Sequence, residues 1–367
     1  MTRPIYIFAG GGTGGHLYPG LAVAEEVVRA QPEAQVVFAC SDREIDRHIL
    51  KPQPYAFVPQ PVRPLPRRPG AVWGFLRTYA PSALQARQMV ADLRPVAVLG
   101  LGGFAAGPVL CRAAKRGIRT GLLNPDAVPG KANRLLARRV DAIFTQYTLT
   151  AERFAARVRP KVRVVGCPVR AAFATAARDQ AVAHFGLRSD RRTLFVNGGS
   201  LGAASVNEAV AYLAGDLAAL SDTWQIVHVT GRSKLSAPPG AFAGLHVCRL
   251  EYCERMDLAY AVADLALSRA GASTTAELAA TGTPAVLMPY PHHADQHQRL
   301  NASALADIGA AAVCDDAQDP VRNAEALRRV LLPILGQAKE LERMRAAARR
   351  SHGPDAARRV ARWLAGQ

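Results

Sequence analysis

The chain has 367 residues, 49% hydrophobic and 20% charged, an ordinary globular composition that excludes collagenous, disordered and low-complexity classes. Its length suits two domains, each able to bury a full core. The formal net charge of +17 favours a polyanionic partner, a phosphorylated ligand or an anionic bilayer surface, although an Arg-biased composition accounts for it equally well.

Met1-Thr2-Arg3-Pro4 runs straight into the apolar Ile5–Ala9 with no separate hydrophobic leader, so no export is expected. Ile5–Ala9 reads as a strand that ends in Gly10–Gly15, with a helical pattern over Leu21–Ala30 behind it. Further strand-like runs follow at Val36–Cys40, Val96–Leu101, Thr120–Leu123, Ala142–Thr145 and Val162–Val165. The apolar stretch Val96–Cys111 is broken by four glycines and Pro108, which suits a strand, a turn and a helix start rather than a membrane span. After Gly166-Cys167-Pro168 and a polar helical segment the cycle restarts. Thr193–Asn197 leads to Gly198-Gly199-Ser200, with a helix from about Val206, then runs at Gln225–Thr230, Leu245–Leu250, Leu265–Ser268 and Pro284–Met288. The final segment, Ala338–Gln367, is helical and Arg/Ala-rich, and Gly353-Pro354 divides it.

Strands alternating with helices at this spacing predict an α/β protein with parallel sheets covered on both faces. Phe8–Gly15 and Phe195–Gly202 share one pattern of strand, glycine turn and helix. That echo predicts two Rossmann-like domains, 1–166 and 167–350, with a terminal helix over 354–367 packing back on the first. Six scattered cysteines without a C-x-x-C pair suit reduced, buried thiols.

A glycine turn between strand and helix lets backbone N–H groups approach a phosphate. Neither copy is a P-loop, and neither is a clean G-x-G-x-x-G with a distal acid, so nicotinamide binding is disfavoured. Two such turns suggest one phosphate-bearing donor and one phosphate-bearing acceptor. The densest polar cluster, Ser268–Glu277, follows a strand and opens a helix with Ser273 and Thr274 near its cap, which fits a diphosphate. Glu277, a turn inside, is placed to bind vicinal hydroxyls, or is simply an acid favoured by the helix dipole. In Pro289–Gln298, three histidines and an aspartate are poorly spaced for zinc; Asp295, His297 and Gln298 read better as partners of sugar hydroxyls.

These residues resemble a known family. Gly10–His16 with Pro19-Gly20, Gly198–Ala203, Ser268–Glu277, and Asp295–Gln298 with Asn301 are similar to the MurG family, the peptidoglycan N-acetylglucosaminyltransferases of glycosyltransferase family 28. Weaker matches at Gly102-Gly103-Phe104, Val128–Arg134, Gly166 with Pro168–Arg170, and Tyr252–Met256 extend the resemblance over almost the whole chain. The resemblance implies the GT-B fold, two Rossmann-like domains facing across a cleft. It implies UDP-GlcNAc in the C-terminal domain and a lipid-linked acceptor, undecaprenyl-diphospho-MurNAc-pentapeptide (lipid I), in the N-terminal one.

By the same resemblance, Glu277 would hold the ribose, Ser200 and the Ala272-Ser273-Thr274 turn the diphosphate, and the Cys253 backbone the uracil. His297 and Gln298 would meet the sugar hydroxyls, with Arg170 and Arg269 in support. Thr13, Gly14, Gly15 and Asp126 would lie on the acceptor side, with His16 the candidate base for an inverting transfer that forms a β-1,4 link without metal or other cofactor. His16 also reads as a polar residue that merely organises its turn.

Three positions depart from the family pattern. Asn124-Pro125-Asp126 stands where Glu-Gln-Asn is usual, Cys167 where asparagine is usual, and Gln296 where aspartate is common. The first lies in the acceptor half and leaves open a different lipid acceptor, a 2-epimerase-like isomerase, or a UDP-sugar-binding protein without transfer. Arg63–Pro69 beside Trp73, Phe75, Leu76 and Tyr79 reads as a peripheral docking patch for an anionic membrane surface at the cytoplasmic face, or as the core side of a helix. No nucleic-acid module is recognisable.

Overall fold

The computed structural model describes residues 3–63, 72–199, 202–231, 242–292, 295–351 and 355–367. Expectations resting on Ser200, on Pro64–Pro69, on His293 and on Gly353-Pro354 lie outside the described residues. The chain divides into two compact units, Met1–Arg170 with Asp355–Gln367, and Ala171–Pro354.

The first unit holds seven strands: Ile5–Gly10 (β1), Gln35–Ser41 (β2), Ala56–Gln60 (β3), Ala97–Gly102 (β4), Arg119–Asn124 (β5), Ala142–Thr145 (β6) and Val162–Val164 (β7). Every pairing is parallel, in the order β3-β2-β1-β4-β5-β6-β7. Near-continuous apolar runs such as Ile-Tyr-Ile-Phe-Ala-Gly and Ala-Val-Leu-Gly-Leu-Gly are what a sheet covered on both faces requires. β3 was not expected from the sequence. It contains Pro59, whose missing N–H is tolerated because β3 lies at the sheet edge.

Side chains alternate across this sheet, so two cores form. Phe8, Phe38, Leu99 and Phe144 pack with Val360, Ala361 and Leu364 of the helix Ala356–Leu364. Ile7, Val98, Leu122 and Ile143 pack on the other face with Val109 and Leu110. Trp363 meets Phe144 edge to face, ring centroids 5.3 Å apart, which ties the chain's last helix to this unit.

The second unit repeats the design with Arg192–Asn197 (β8), Trp224–Val229 (β9), Val247–Leu250 (β10), Leu265–Ser268 (β11), Ala285–Leu287 (β12) and Ala311–Val313 (β13), all parallel in the order β10-β9-β8-β11-β12-β13. Counted from each unit's first strand, both sheets run 3-2-1-4-5-6, and the first adds a seventh strand beyond. The order reverses between β1 and β4, and again between β8 and β11. Ligands of such sheets bind beyond the carboxyl ends of the strands at that reversal, which is where both glycine turns stand. Among the described residues, no helix is long and apolar enough to cross a membrane.

Candidate functional site

In the first unit, β1 ends in Gly10-Gly11-Gly12 and the helix Gly14–Ala30 begins behind Thr13. The turn is held by a residue that the sequence did not single out. Asp46, fully buried in the helix Glu44–Leu50, accepts the Gly12 N–H with both oxygens at 2.8 and 2.9 Å. It also accepts the Ser41 N–H at 2.9 Å and the Ser41 hydroxyl at 2.6 Å. Gly11 has a φ of +154°, and a Cβ there would overlap the Asp46 carboxylate, so glycine is obligatory. Arg43 donates to the Gly12 carbonyl at 3.1 Å and stacks over Phe104. The Gly12 N–H is therefore spent on a protein carboxylate; the buried Gly14 and the exposed Gly15 follow in the helix's first turn.

His16 is the third residue of that helix, within its first turn. Its Nδ1 is 3.2 Å from the Gly11 carbonyl and 3.2 Å from the Thr13 hydroxyl. A carbonyl oxygen only accepts, so Nδ1 carries the proton and Nε2 keeps its lone pair. The ring lies against Gly102, the last residue of β4, and Gly103; a Cβ on Gly102, whose φ is +100°, would come within 2.9 Å of His16 Cδ2. Burial pushes the His16 pKa below its ordinary value, and the charge of Asp126, the Gly11 carbonyl and Asp46 oppose that shift without reversing it. The imidazole is thus neutral at pH 7 and able to take a proton.

Asn124-Pro125-Asp126, the departure from the family pattern in the first unit, closes on itself. Asn124 Nδ2 donates to the Asp126 carbonyl at 2.8 Å, and Asn124 Oδ1 accepts from Asn133 at 2.9 Å. Both ends of the Asn124 amide are thus engaged, one by the loop and one by the helix Lys131–Leu136. Arg170 also belongs to this unit, where its guanidinium lies 5.2 Å from the Tyr18 ring centroid.

In the second unit, β11 leads through Arg269-Ala270-Gly271 into the helix Ala272–Thr281. Gly271, not Ser273 or Thr274, is the cap residue, and the two hydroxyl residues occupy the helix's first turn. The loop is braced by Gln298, which the sequence pattern assigned to ligand, and by Asn301. Gln298 Oε1 accepts the Ala270 N–H at 3.3 Å and the Tyr290 N–H at 3.0 Å, and Asn301 donates to the Ala270 carbonyl at 3.1 Å. The carbonyl end of Gln298 is thereby committed, and its amide N–H end is the part able to reach a sugar hydroxyl. Arg269 is buried and donates to the Met288 and Pro289 carbonyls and to Ser205.

His297 opens the helix His297–Ala306, its Nδ1 2.7 Å from Asp295 Oδ1. Gln296 just before it has a φ of +46°, the left-handed region that asparagine and aspartate enter more readily. Glu277 lies in the second turn of Ala272–Thr281, beside the Tyr260 hydroxyl and Asn197. Burial, reinforced by the Glu277 charge, holds Tyr260 far above the ordinary tyrosine range, so it is a neutral O–H. Cys253 is buried between β10 and the helix Met256–Val262, its thiol pushed up to about 11 by burial. Among the described residues no three His, Cys, Asp or Glu side chains gather as metal ligands. A concavity of about 770 Å³ opens at the opposite edge of the first sheet, beside Arg119, Arg163 and Trp363 and away from the glycine turns.

Comparison with known proteins agrees with this layout. Residues 6–145 match the glycosyltransferase family 28 N-terminal domain, and residues 193–360 match the C-terminal domain of the same family. The chain is 33% identical over 363 residues to the UDP-N-acetylglucosamine–N-acetylmuramyl-(pentapeptide) pyrophosphoryl-undecaprenol N-acetylglucosamine transferase of Halothermothrix orenii, with 95% of each chain covered. It is 39% identical over 319 residues to the protein of that name from Leifsonia xyli subsp. xyli, with 85% of each covered. The crystal structure of Acinetobacter baumannii MurG matches with a TM-score of 0.73 at 27% identity, over 100% of both chains.

Proposed function

The chain belongs to glycosyltransferase family 28, with the GT-B fold, and from that premise we propose that it transfers N-acetylglucosamine from UDP-GlcNAc to undecaprenyl-diphospho-MurNAc-pentapeptide in peptidoglycan synthesis. The observation that carries the reading is the neutral His16, its Nδ1 fixed by the Gly11 carbonyl and its Nε2 left basic.

In this reading the second unit is the donor side. The first-turn N–H groups of Ala272, Ser273 and Thr274 stabilise the charge that grows on the UDP diphosphate as the glycosidic bond breaks, a role that needs no metal. Glu277 accepts from the ribose hydroxyls, with the Tyr260 hydroxyl beside its carboxylate. The Cys253 backbone meets the uracil, and His297 and the Gln298 amide nitrogen meet the sugar. Ser200 would add to the diphosphate contacts. Arg269 would act by bracing the loop rather than by touching the donor.

The first unit is the acceptor side. His16 Nε2 takes the proton of the attacking hydroxyl; that oxygen bonds to C1 of GlcNAc from the face opposite UDP, and the bond's electrons leave with the β-phosphate, inverting C1. Thr13, Gly14, Gly15 and Asp126 border that hydroxyl, and Arg170 supports the acceptor-side helix through Tyr18. Attachment to the membrane is peripheral, at the cytoplasmic face, and uses the anionic bilayer surface. The 77% exposed Trp73 at the start of helix Val72–Leu93 supports that attachment.

UDP release measured with UDP-GlcNAc, with and without detergent-solubilised lipid acceptor, tests the proposal. Lipid-dependent release that falls at least tenfold in Glu277→Ala, through the lost charged hydrogen bonds, is the expected result. Release without lipid would point to hydrolase chemistry, an altered UDP-sugar without release to isomerase chemistry, and UDP-GlcNAc binding with neither would refute the transfer.

A further inference from the structure

Asp316 lies three residues beyond β13, outside every motif, yet it sits at the centre of a buried polar network under the second unit's ligand loops. Its Oδ2 accepts the Ser205 hydroxyl at 2.7 Å and pairs with Arg269 Nη2 at 2.8 Å. Arg269 Nη2 also donates to the Ser205 hydroxyl, at 2.7 Å, so the three groups close a triangle. The other oxygen, Oδ1, accepts Asn323 Nδ2 and the Gln318 N–H, each at 2.9 Å. The Arg269 and Asp316 side chains are 9% and 2% exposed.

The two elements joined by this triangle are not neighbours in sequence. Ser205 stands in the first turn of the helix Ala204–Tyr212, directly behind the second glycine turn. Arg269 is the first residue past β11, at the root of the loop that opens helix Ala272–Thr281. Both elements point their N-termini to the carboxyl edge of the sheet, at the reversal between β8 and β11.

We infer that Asp316 is a positioning residue for donor binding: through Ser205 and Arg269 it fixes the spacing between the two backbone segments that grip a nucleoside diphosphate. The inference rests on the donor reading of the second unit given above. A free guanidinium at Arg269 would swing toward a diphosphate and drag its loop; Asp316 neutralises it and leaves it a strut that holds the Met288 and Pro289 carbonyls. Burial acts against the Asp316 charge, but the Ser205, Asn323, Gln318 and Arg269 bonds outweigh it and hold the carboxyl below the ordinary range. The network is thus an ion pair at neutral pH, with every bond direction specified.

A buried ion pair that served only the fold would change stability and nothing else. The separating measurement is calorimetric titration of the full chain with UDP and, in parallel, with uridine, which lacks the diphosphate. Ser205→Ala and Asp316→Asn should weaken UDP by about tenfold, the weight of one displaced charge-assisted hydrogen bond, while uridine affinity stays at the wild-type value. The KM for UDP-GlcNAc should rise in step and the KM for the lipid acceptor should not move. Ser205→Thr, which keeps the hydroxyl, should bind UDP as the wild type does. If Asp316→Asn fails to fold, the Ser205→Ala and Ser205→Thr pair decides alone. Equal UDP affinity in Ser205→Ala and wild type, or equal losses for UDP and uridine, overturns the inference. A wild type that binds no UDP overturns the donor reading and this inference with it.

Discussion

Asp46→Asn is the sharpest perturbation of the first unit. The native carboxylate satisfies three buried donors, the Gly12 N–H, the Ser41 N–H and the Ser41 hydroxyl. An asparagine keeps one accepting oxygen, which at the Oδ2 position still serves Ser41, and turns an NH2 group toward the Gly12 N–H, which cannot accept. The Gly12 bond to Oδ1, worth about 1.5–3 kcal/mol, is lost and the bonds to Ser41 lose their charge assistance, partly offset because a charge no longer needs burying. The net cost is about 3 kcal/mol, which for a unit of this size lowers its melting temperature by about 6–12 °C at 2–4 °C per kcal/mol. Catalysis should suffer beyond that loss, because the Gly11 carbonyl that orients His16 belongs to the turn Asp46 secures. At a temperature where the variant is still folded, kcat for lipid-dependent UDP release should fall at least tenfold, while calorimetric UDP affinity stays unchanged. Differential scanning calorimetry and the two activity measurements suffice. An unmoved melting transition together with an unmoved kcat would show that this carboxylate does not hold the turn.

Three further outcomes follow from the same geometry. Gly102→Ala forces a Cβ within 2.9 Å of His16 Cδ2 in a backbone with φ of +100°, so kcat should drop by about tenfold or more as the imidazole shifts, with UDP affinity retained. A variant as active as wild type would show that the ring position does not matter. With His16 as base, the acid limb of kcat/KM should fall below pH 6.5, because burial lowers its pKa; His16→Gln should remove that limb and about 10²–10⁴-fold of the rate. The linked stability has a fixed sign: between the folded pKa and 6.5 the unfolded chain binds more protons, so stability rises with pH across that window. An acid limb persisting in His16→Gln would assign it elsewhere. Trp73→Ser should reduce flotation with vesicles containing anionic lipid severalfold, given the burial energy of one large aromatic side chain, and unchanged flotation would remove Trp73 from membrane contact.

The glycine turns, the alternating strands and the repeat of one unit by the other were legible in the sequence because each is a local demand. A backbone at positive φ needs glycine, and a doubly covered strand needs a continuous apolar run. β3 and β13 escaped notice for the complementary reason. Their sequences, Ala-Phe-Val-Pro-Gln and Ala-Ala-Val, carry little local preference, and their places come from pairing with β2 and β12. The site divides along the same line. Asp46 sits in Asp42-Arg43-Glu44-Ile45-Asp46, a run that reads as a solvated helix start, and only the fold sets its carboxylate under Gly12. Asp315 and Asp316 are adjacent and indistinguishable as sequence, yet one pairs at the surface with Arg299 and the other is buried against Arg269.

Motif residues pose the opposite problem. Arg269 and Gln298 stand where the family pattern suggests ligand contact, but the folded chain spends the Arg269 guanidinium and the Gln298 carbonyl on its own backbone and side chains. A motif marks where geometry must be held, not which atom touches substrate. The distinction comes from hydrogen-bond accounting, since an atom already committed to a buried carbonyl or N–H cannot also bind a ligand without leaving that partner unsatisfied. By that rule His16 Nε2 and the Gln298 amide nitrogen remain candidates for contact, while Asp46, Asp316 and Arg269 act through the loops they brace. Mutations in the first group should change what is bound or transferred, and those in the second should change loop geometry and stability together.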